Sequence, residues 1–373
     1  MKTALAAKLE SLGTGKAVLG FDGFVDEVVH VVKTRLDQER HIRMETLKEY
    51  GEFICAGSGL SSNVEILTIR KKPGGNGVIM ADALDRLGYD VSYIGCVGKG
   101  AVDPVFCEMS GRVRMAGIAP PAQTDAMEFF DGKLIRSKLG PLNAVSWADV
   151  LAAVPPETMA RMVGAARLVG FLNWSLVANM SGFYKGFLED VVPLLDAQGR
   201  VGKTVFFDLA DPEKRPGAEI KAALGLIGGF SSAGFDVVLG LNKKEACEIA
   251  ALYGMEIAGV KAQPLRPLAS FIQKHVRVAC LVIHPADRAC CLKGGAYAEQ
   301  EGPYTAQPVL TTGAGDNFNA GFAFGHCAGL AADECLLLGN AASGFYVRAG
   351  RSGTRREIAE LLRQWGEGRL NCY

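Results

Sequence analysis

Apolar residues along this chain follow two rhythms. Short continuous runs at 17–21, 91–94, 168–172, 204–207, 237–239 and 279–283 read as strands buried on both faces. Between them, 78–87, 181–195, 243–253 and 268–275 repeat apolar residues at helical spacing. Buried strands alternating with helices predict an α/β protein with a mostly parallel sheet and helices on both faces. From Ala314 the rhythm becomes purely helical, with three successive helices over roughly 314–329, 331–347 and 354–366.

Two stretches break the alternation. Residues 124–138 read as a hairpin turning at Asp131–Gly132, and 24–45 holds a β-like stretch followed by a very polar one. Polar strands outside the main sheet suit a small lid over one edge of a cleft, here drawn from about 24–45 and 113–140. No Pro/Gly/Ser linker, repeat or low-complexity tract divides the chain, so 1–373 reads as one domain carrying that lid.

Composition narrows the function classes. The 40 basic and 40 acidic residues balance, which gives no electrostatic case for a nucleic-acid or membrane partner. An anionic ligand must then be held locally, by helix ends, backbone amides and single cations. The 10 cysteines are scattered without a CxxC pair, which fits reduced thiols in a cytoplasmic protein better than disulfides or zinc. The N-terminal stretch lacks the apolar core of a signal peptide, and no run approaches the ~18 apolar residues of a membrane span.

The densest chemistry lies in TTGAGDNFNAGFAFG, from Thr311 to Gly325, which follows an extended run and opens a helix. Gly313 and Gly315 let the backbone turn sharply and leave N–H groups facing an anion, reinforced by the helix's own start. Asp316, in the first turn, stands where a carboxylate can take the proton of a hydroxyl attacking phosphorus. An isolated GxGD is ordinary capping. The whole stretch, however, closely resembles the C-terminal signature of ribokinase-like (phosphofructokinase-B type) carbohydrate kinases, matched by Gly313, Ala314, Gly315, Asp316, Phe318 and Gly321. The resemblance implies a three-layer ribokinase-like fold with a β lid, an anion hole at Gly313, Ala314 and Gly315, and Asp316 as catalytic base. It also implies ATP and Mg²⁺ as cofactors, a monovalent cation as a further candidate, a sugar and a nucleotide as ligands, and pairing of two copies through their lids.

Other segments extend the match. PGGNGVIMADALDRLG resembles the family's N-terminal signature, with Gly74, Gly75 and Asn76 near the sugar; the usual sugar-contacting Asn falls at Ile79. In GFDGFVDEV, Asp26 corresponds best to the family's hydroxyl-gripping Asp, and Asp22 is a second candidate. Asn242 and Glu245 resemble the Asn-x-x-Glu motif that holds Mg²⁺ through water, and they equally read as a capping box. Asn173 is expected to touch sugar hydroxyls, Asn340 to line the adenine pocket, and Asp208 ends a strand where relatives carry an Asp-centred segment.

One loop departs from the family. His284 to Ala289 reads HPADRA where relatives carry Thr-x-Gly-x-x-Gly, with Arg288 as a candidate phosphate contact. Two alternatives to a sugar kinase stand beside the main reading: a nucleoside kinase of the same fold, and a catalytically weak sugar-sensing protein. A Rossmann dehydrogenase is disfavoured, because after Leu19 the chain reads GFDGFVD with no GxGxxG.

Overall fold

In the computed structural model, residues 1–370 are described. The strands are β1 (Lys16–Phe21), β2 (Phe24–Arg35), β3 (His41–Arg43), β4 (Glu65–Gly74), β5 (Asp90–Gly95), β6 (Gly98–Lys99), β7 (Arg114–Ala119), β8 (Ala122–Phe129), β9 (Gly132–Lys138), β10 (Leu168–Phe171), β11 (Thr204–Asp208), β12 (Asp236–Leu241), β13 (Cys280–Ile283), β14 (Arg288–Lys293) and β15 (Ala296–Glu301). They form a large sheet in the order β15-β14-β13-β12-β11-β10-β1-β5-β7-β6 and a smaller one of β3, β2, β8 and β9 with β4. From β13 through β7 neighbouring strands of the large sheet run parallel. The edges are antiparallel. Each expected apolar run became one of the parallel strands.

Period-two alternation divides strand side chains between two cores. Val169, Phe171, Val205, Phe207, Val237 and Leu239 enter one, while Leu168, Phe206, Val238, Cys280 and Val282 enter the other. In the first core Phe171 stacks on Phe207 at 5.4 Å and meets Tyr184 and Phe187 edge-on at 5.3 Å. The second core is closed by the helices Asn76–Arg86, Ala314–Cys327 and Ala332–Ala349. The last two lie near the expected bounds, as does Arg355–Gly366. Among the described residues no helix is long and apolar enough to cross a membrane.

The smaller sheet corrects the expected limits of the lid. β2 and β3 fall within 24–45, and β8 and β9 within 113–140, but β7 belongs to the large sheet beside β5. β4, which the pattern did not reveal, pairs with β2 from Phe24↔Gly74 to Val32↔Glu65. The hairpin turns one residue earlier than expected, at Phe130 and Asp131, with Phe129 opposite Gly132. Asp131 is drawn into that turn because its carboxylate accepts the Leu47 N–H at 2.6 Å, tying the hairpin to the lid helix Leu47–Ala56.

Lid and body exchange the chain at a few joints. β1 passes to β2 through Asp22 and Gly23, and β4 runs through Gly75 into the helix Asn76–Arg86. In the large sheet the order builds outward from β1 through β5 on one side and from β10 through β11 on the other. The C-terminal ends of β1 and β10 therefore flank the crevice where doubly wound sheets bind ligands.

Gly321, part of the family-like signature, has a packing reason rather than a chemical one. A Cβ there would lie 2.8 Å from the Leu338 carbonyl oxygen and 2.9 Å from the Ala342 Cβ. Gly321→Val is expected to destabilise the protein by about 1–3 kcal/mol through overpacking, read as a lower urea midpoint. An unchanged midpoint would contradict this helix crossing.

Candidate active site

The helix Ala314–Cys327 starts from Gly313, which sits in the left-handed region at φ 98°. A Cβ at Gly313 would meet the Tyr346 hydroxyl at 2.6 Å and Ile79 Cδ1 at 3.1 Å, so glycine is required twice over. The turn's carbonyls are held away from the cleft. The Tyr346 hydroxyl donates to the Thr312 carbonyl at 2.7 Å, and the Asn317 side-chain amide donates to that of Gly313 at 2.9 Å. Of the three expected cradle residues, Ala314 is corrected: its N–H closes the turn onto the Thr311 carbonyl at 3.1 Å. Among the described residues, the N–H groups of Gly313 and Gly315 have no protein acceptor. These two amides are the ones left unengaged at the helix start.

Asp316 is buried beside them. Burial raises its carboxyl well above the usual carboxylate range, the charges of Asp208 and Asp22 push the same way, and the Asn76 side chain opposes them. The two signature helices thus start face to face, with Asn76 opening one and Asp316 in the first turn of the other.

Asp22, the second candidate for a sugar contact, is engaged by the protein itself. Its carboxylate accepts the N–H groups of Asn76 at 2.8 Å and Gly77 at 3.1 Å, the Tyr93 hydroxyl at 2.8 Å and the Asn173 amide at 2.8 Å. Four donors fill its lone pairs. It fixes the joint between lid, sheet and helix. The double glycine answers to carboxylates: a Cβ at Gly75 would lie 2.9 Å from Asp22 Oδ2, and one at Gly74 2.5 Å from the Asp26 carboxylate. Asp26, half-buried on β2, keeps its carboxylate beside Gly74, raised by burial and held back by Lys72 and Lys133.

Beyond Asp22 the floor is polar. Asn173, at φ 64° just past β10, gives its amide to Asp22 and leaves a buried Oδ1 without a partner. Asp208 accepts from the Ala210 N–H at 2.8 Å and the Asn319 amide at 2.9 Å, and burial pushes it up to about 6. Asn242 and Glu245 form a complete capping box, with Glu245 accepting the Asn242 N–H at 2.9 Å and side-chain amide at 2.6 Å. Burial, then Asp208, raises Glu245 well above its ordinary value. Asp22, Asp208, Glu245 and Asp316 form a run of buried acids with no lysine or arginine among the charges that shift them. No three ligating groups converge for direct metal chelation among the described residues. The set suits a cation that keeps its waters.

Next to the cradle opens a cavity of about 570 Å³, lined by Gly315, Phe318, Asn340, Thr311 and Tyr304 among others. It adjoins a larger one of about 1300 Å³ that reaches Asn242, Lys243 and Arg288. The departing loop supplies a wall shared by both. His284 stacks on Phe318 at 4.6 Å, and its Cε1 lies 3.3 Å from where a Gly315 Cβ would stand. Burial pushes it down to about 4, so the ring is neutral. Asn340 lines the cavity while its amide donates to the Gln300 and Glu301 carbonyls at 3.2 and 3.1 Å. Arg288, the candidate phosphate contact, lines the larger cavity and is paired with Asp287 at 3.0 Å and Glu299 at 3.4 Å.

The sequence model of the prokaryotic ketohexokinase family matches residues 3–365. The chain belongs to that family. A ketohexokinase of Haloferax volcanii is 30% identical over 366 residues, covering 98% of this chain and 94% of the relative. Solved structures share the fold: ribokinase of Arabidopsis thaliana complexed with ribose and ATP (TM-score 0.63, 18% identity, 94% of this chain and 99% of that one). A probable sugar kinase of Rhizobium etli also matches (0.64, 19%, 94% and 98%). Membership makes the chain a carbohydrate kinase with the ribokinase fold, as its signatures implied.

Tyr93, Asn319 and Lys72 were not singled out from the sequence. Tyr93 is hidden inside an apolar strand. Asn319 leaves a trace, as a polar residue flanked by Phe318 and Ala320 and three positions after Asp316. Because Asp316 binds a proton more tightly folded than unfolded, ionising it costs stability. That penalty is absent at low pH, grows as pH rises above the unfolded value and is full above the folded one. Asp316→Asn is therefore expected to raise Tm at neutral pH, with the gain shrinking towards about pH 4. A lower Tm at neutral pH would contradict the buried, uncompensated carboxylate.

Proposed function

We propose that this family member transfers the γ-phosphoryl group of MgATP to a hydroxyl of a ketohexose such as fructose. The observation that carries the reading is the buried Asp316 beside two unengaged amides, Gly313 and Gly315, with the charges of both Asp316 and Asp26 reaching the Tyr346 hydroxyl. The nucleotide lies in the connected cavities along the strand ends, its terminal phosphate on the Gly313 and Gly315 amides. The sugar lies under the lid, with hydroxyls on Asp26 and beside Asn76.

In the reaction the acceptor oxygen bonds to phosphorus as the bond to the ADP oxygen breaks, and the hydroxyl proton passes to Asp316. A carboxylate raised by burial is the stronger base near neutral pH. Asn242 and Glu245 would hold hydrated Mg²⁺, which supplies charge neutralisation on the phosphates. Aligning the reactants and receiving negative charge account for most of the rate. Exposed Phe130 and Ile135 on the lid hairpin support the expected pairing of two copies through their lids.

Coupled ADP release is expected with fructose and MgATP, weaker with aldohexoses, absent with nucleosides, and abolished by a chelator. Strong turnover of nucleosides alone would overturn the acceptor assignment. Asp316→Asn should lower kcat by ~10²–10⁴. The wild-type pH profile should fall on its acid side above the ordinary carboxylate range, because the base must be ionised and its value is raised. Near-normal turnover of Asp316→Asn would remove Asp316 from the role of base.

A further inference from the structure

Lys72 stands near the end of β4, two residues before the Gly74–Gly75 joint with the helix Asn76–Arg86. β4 runs antiparallel to β2 with Lys72 directly opposite Asp26, and β8 places Thr124 on the other side of Asp26. Residues opposite one another across a sheet share a face. Lys72, Asp26 and Thr124 therefore form one row across the smaller sheet, and the Asp26 carboxylate at its centre leans towards Gly74. Lys72 also lines a cavity of about 320 Å³ together with Ile79 and Tyr346, the two side chains that touch the Gly313 turn. The lysine thus stands opposite Asp26 and borders a cavity shared with the two side chains that touch the Gly313 turn.

Its lack of a partner is unusual for its surroundings. Neighbouring lid lysines are paired: Lys71 with Glu27 at 2.8 Å, Lys33 with Glu49 at 2.6 Å and Lys138 with Asp125 at 3.7 Å. Those ammonium groups are exposed, where pairing is worth little. Lys72 is half-buried, yet among the described residues it makes no ion pair or hydrogen bond, and Asp26 acts on it only at a distance. Burial lowers its pKa, with the Asp26 charge opposing. A half-buried ammonium with unused donors is costly unless an oxygen comes to it.

We propose that Lys72 is a substrate-contacting specificity residue, donating to a sugar oxygen next to the hydroxyl that Asp26 accepts. The chemistry selects the class of acceptor. A carboxylate only accepts and an ammonium only donates, so the pair reads one hydroxyl through its hydrogen and a neighbouring hydroxyl through its oxygen. Neighbouring oxygens of that kind surround the carbonyl-derived carbon of a ketose. Ile79, standing where relatives carry a sugar-contacting Asn, offers no such donor, and Lys72 replaces it from the lid.

The inference rests on the acceptor site proposed above. Its test uses the full chain, with Lys72→Met and Lys72→Arg assayed on fructose and MgATP. Lys72→Met is expected to raise the KM for fructose by ~10–100-fold, the loss of a hydrogen bond to a charged group. Its kcat and its KM for ATP should stay within about threefold, with Lys72→Arg in between. A series of deoxyfructoses supplies a readout that a purely structural role does not move. One deoxy position should weaken binding to the wild type, by calorimetry, and leave Lys72→Met indifferent. An unchanged fructose KM in Lys72→Met overturns the proposal, as does a wild-type-like deoxy profile or an equal loss of kcat and ATP affinity. Should the wild type phosphorylate no ketohexose, the functional reading fails by itself. The calorimetric comparison of wild type and Lys72→Met, made on whichever sugar or nucleoside of the panel binds, still decides for or against Lys72.

Discussion

The site depends on one buried carboxylate on which donors from three parts of the chain converge. Asp22 gathers the backbone start of the Asn76 helix, the Tyr93 hydroxyl and the Asn173 amide, and so ties the last residues of β1 and β10 to the helix that follows the lid. Charge-assisted hydrogen bonds of this kind fix geometry as well as lend energy. Without them the loop beyond β10 and the Asn76 helix would lose their shared anchor, and Asn76 would not be held opposite Asp316.

That anchor is also part of an electrostatic load. Burial raises Asp22, Asp208, Glu245 and Asp316; the Asp22 charge adds to this at Asp208, the Asp208 charge at Glu245, and both at Asp316. A protein selected for stability alone would replace such groups. Their retention makes sense if the site's working partners are cationic or proton-bearing: a hydrated metal on the phosphates, a hydroxyl giving up its proton. Non-glycine residues in left-handed backbone, Asn173 and Ala210, flank the same floor, as strain at functional sites often does.

Much of this was legible in the sequence. The six apolar runs marked parallel strands because strands buried on both faces cannot hide polar residues, and Gly313, Gly315 and Asp316 carried their chemistry in their spacing. The lid was only half legible. β4 reads EILTIRKKPG, and its pairing with β2 is set across a long chain separation that leaves no local pattern. Asp26 already ranked above Asp22 by its match to the family pattern, but the sequence does not show the four donors that the fold gathers on Asp22. The pairing of Arg288 with Glu299 was hidden for a related reason: Glu299 comes from β15, a strand with no apolar run to announce it.

The central claim is that Asp316 faces the acceptor hydroxyl while the Gly313 and Gly315 amides hold the phosphate about to be transferred. A crystal structure of the ternary complex with fructose and a non-hydrolysable ATP analogue tests it most directly. The account predicts one sugar hydroxyl about 3 Å from an Asp316 oxygen, in line with the terminal phosphorus, and that phosphate on the two glycine amides. A complex with the sugar bound and Asp316 turned from every hydroxyl, or with the phosphate seated elsewhere, would contradict it.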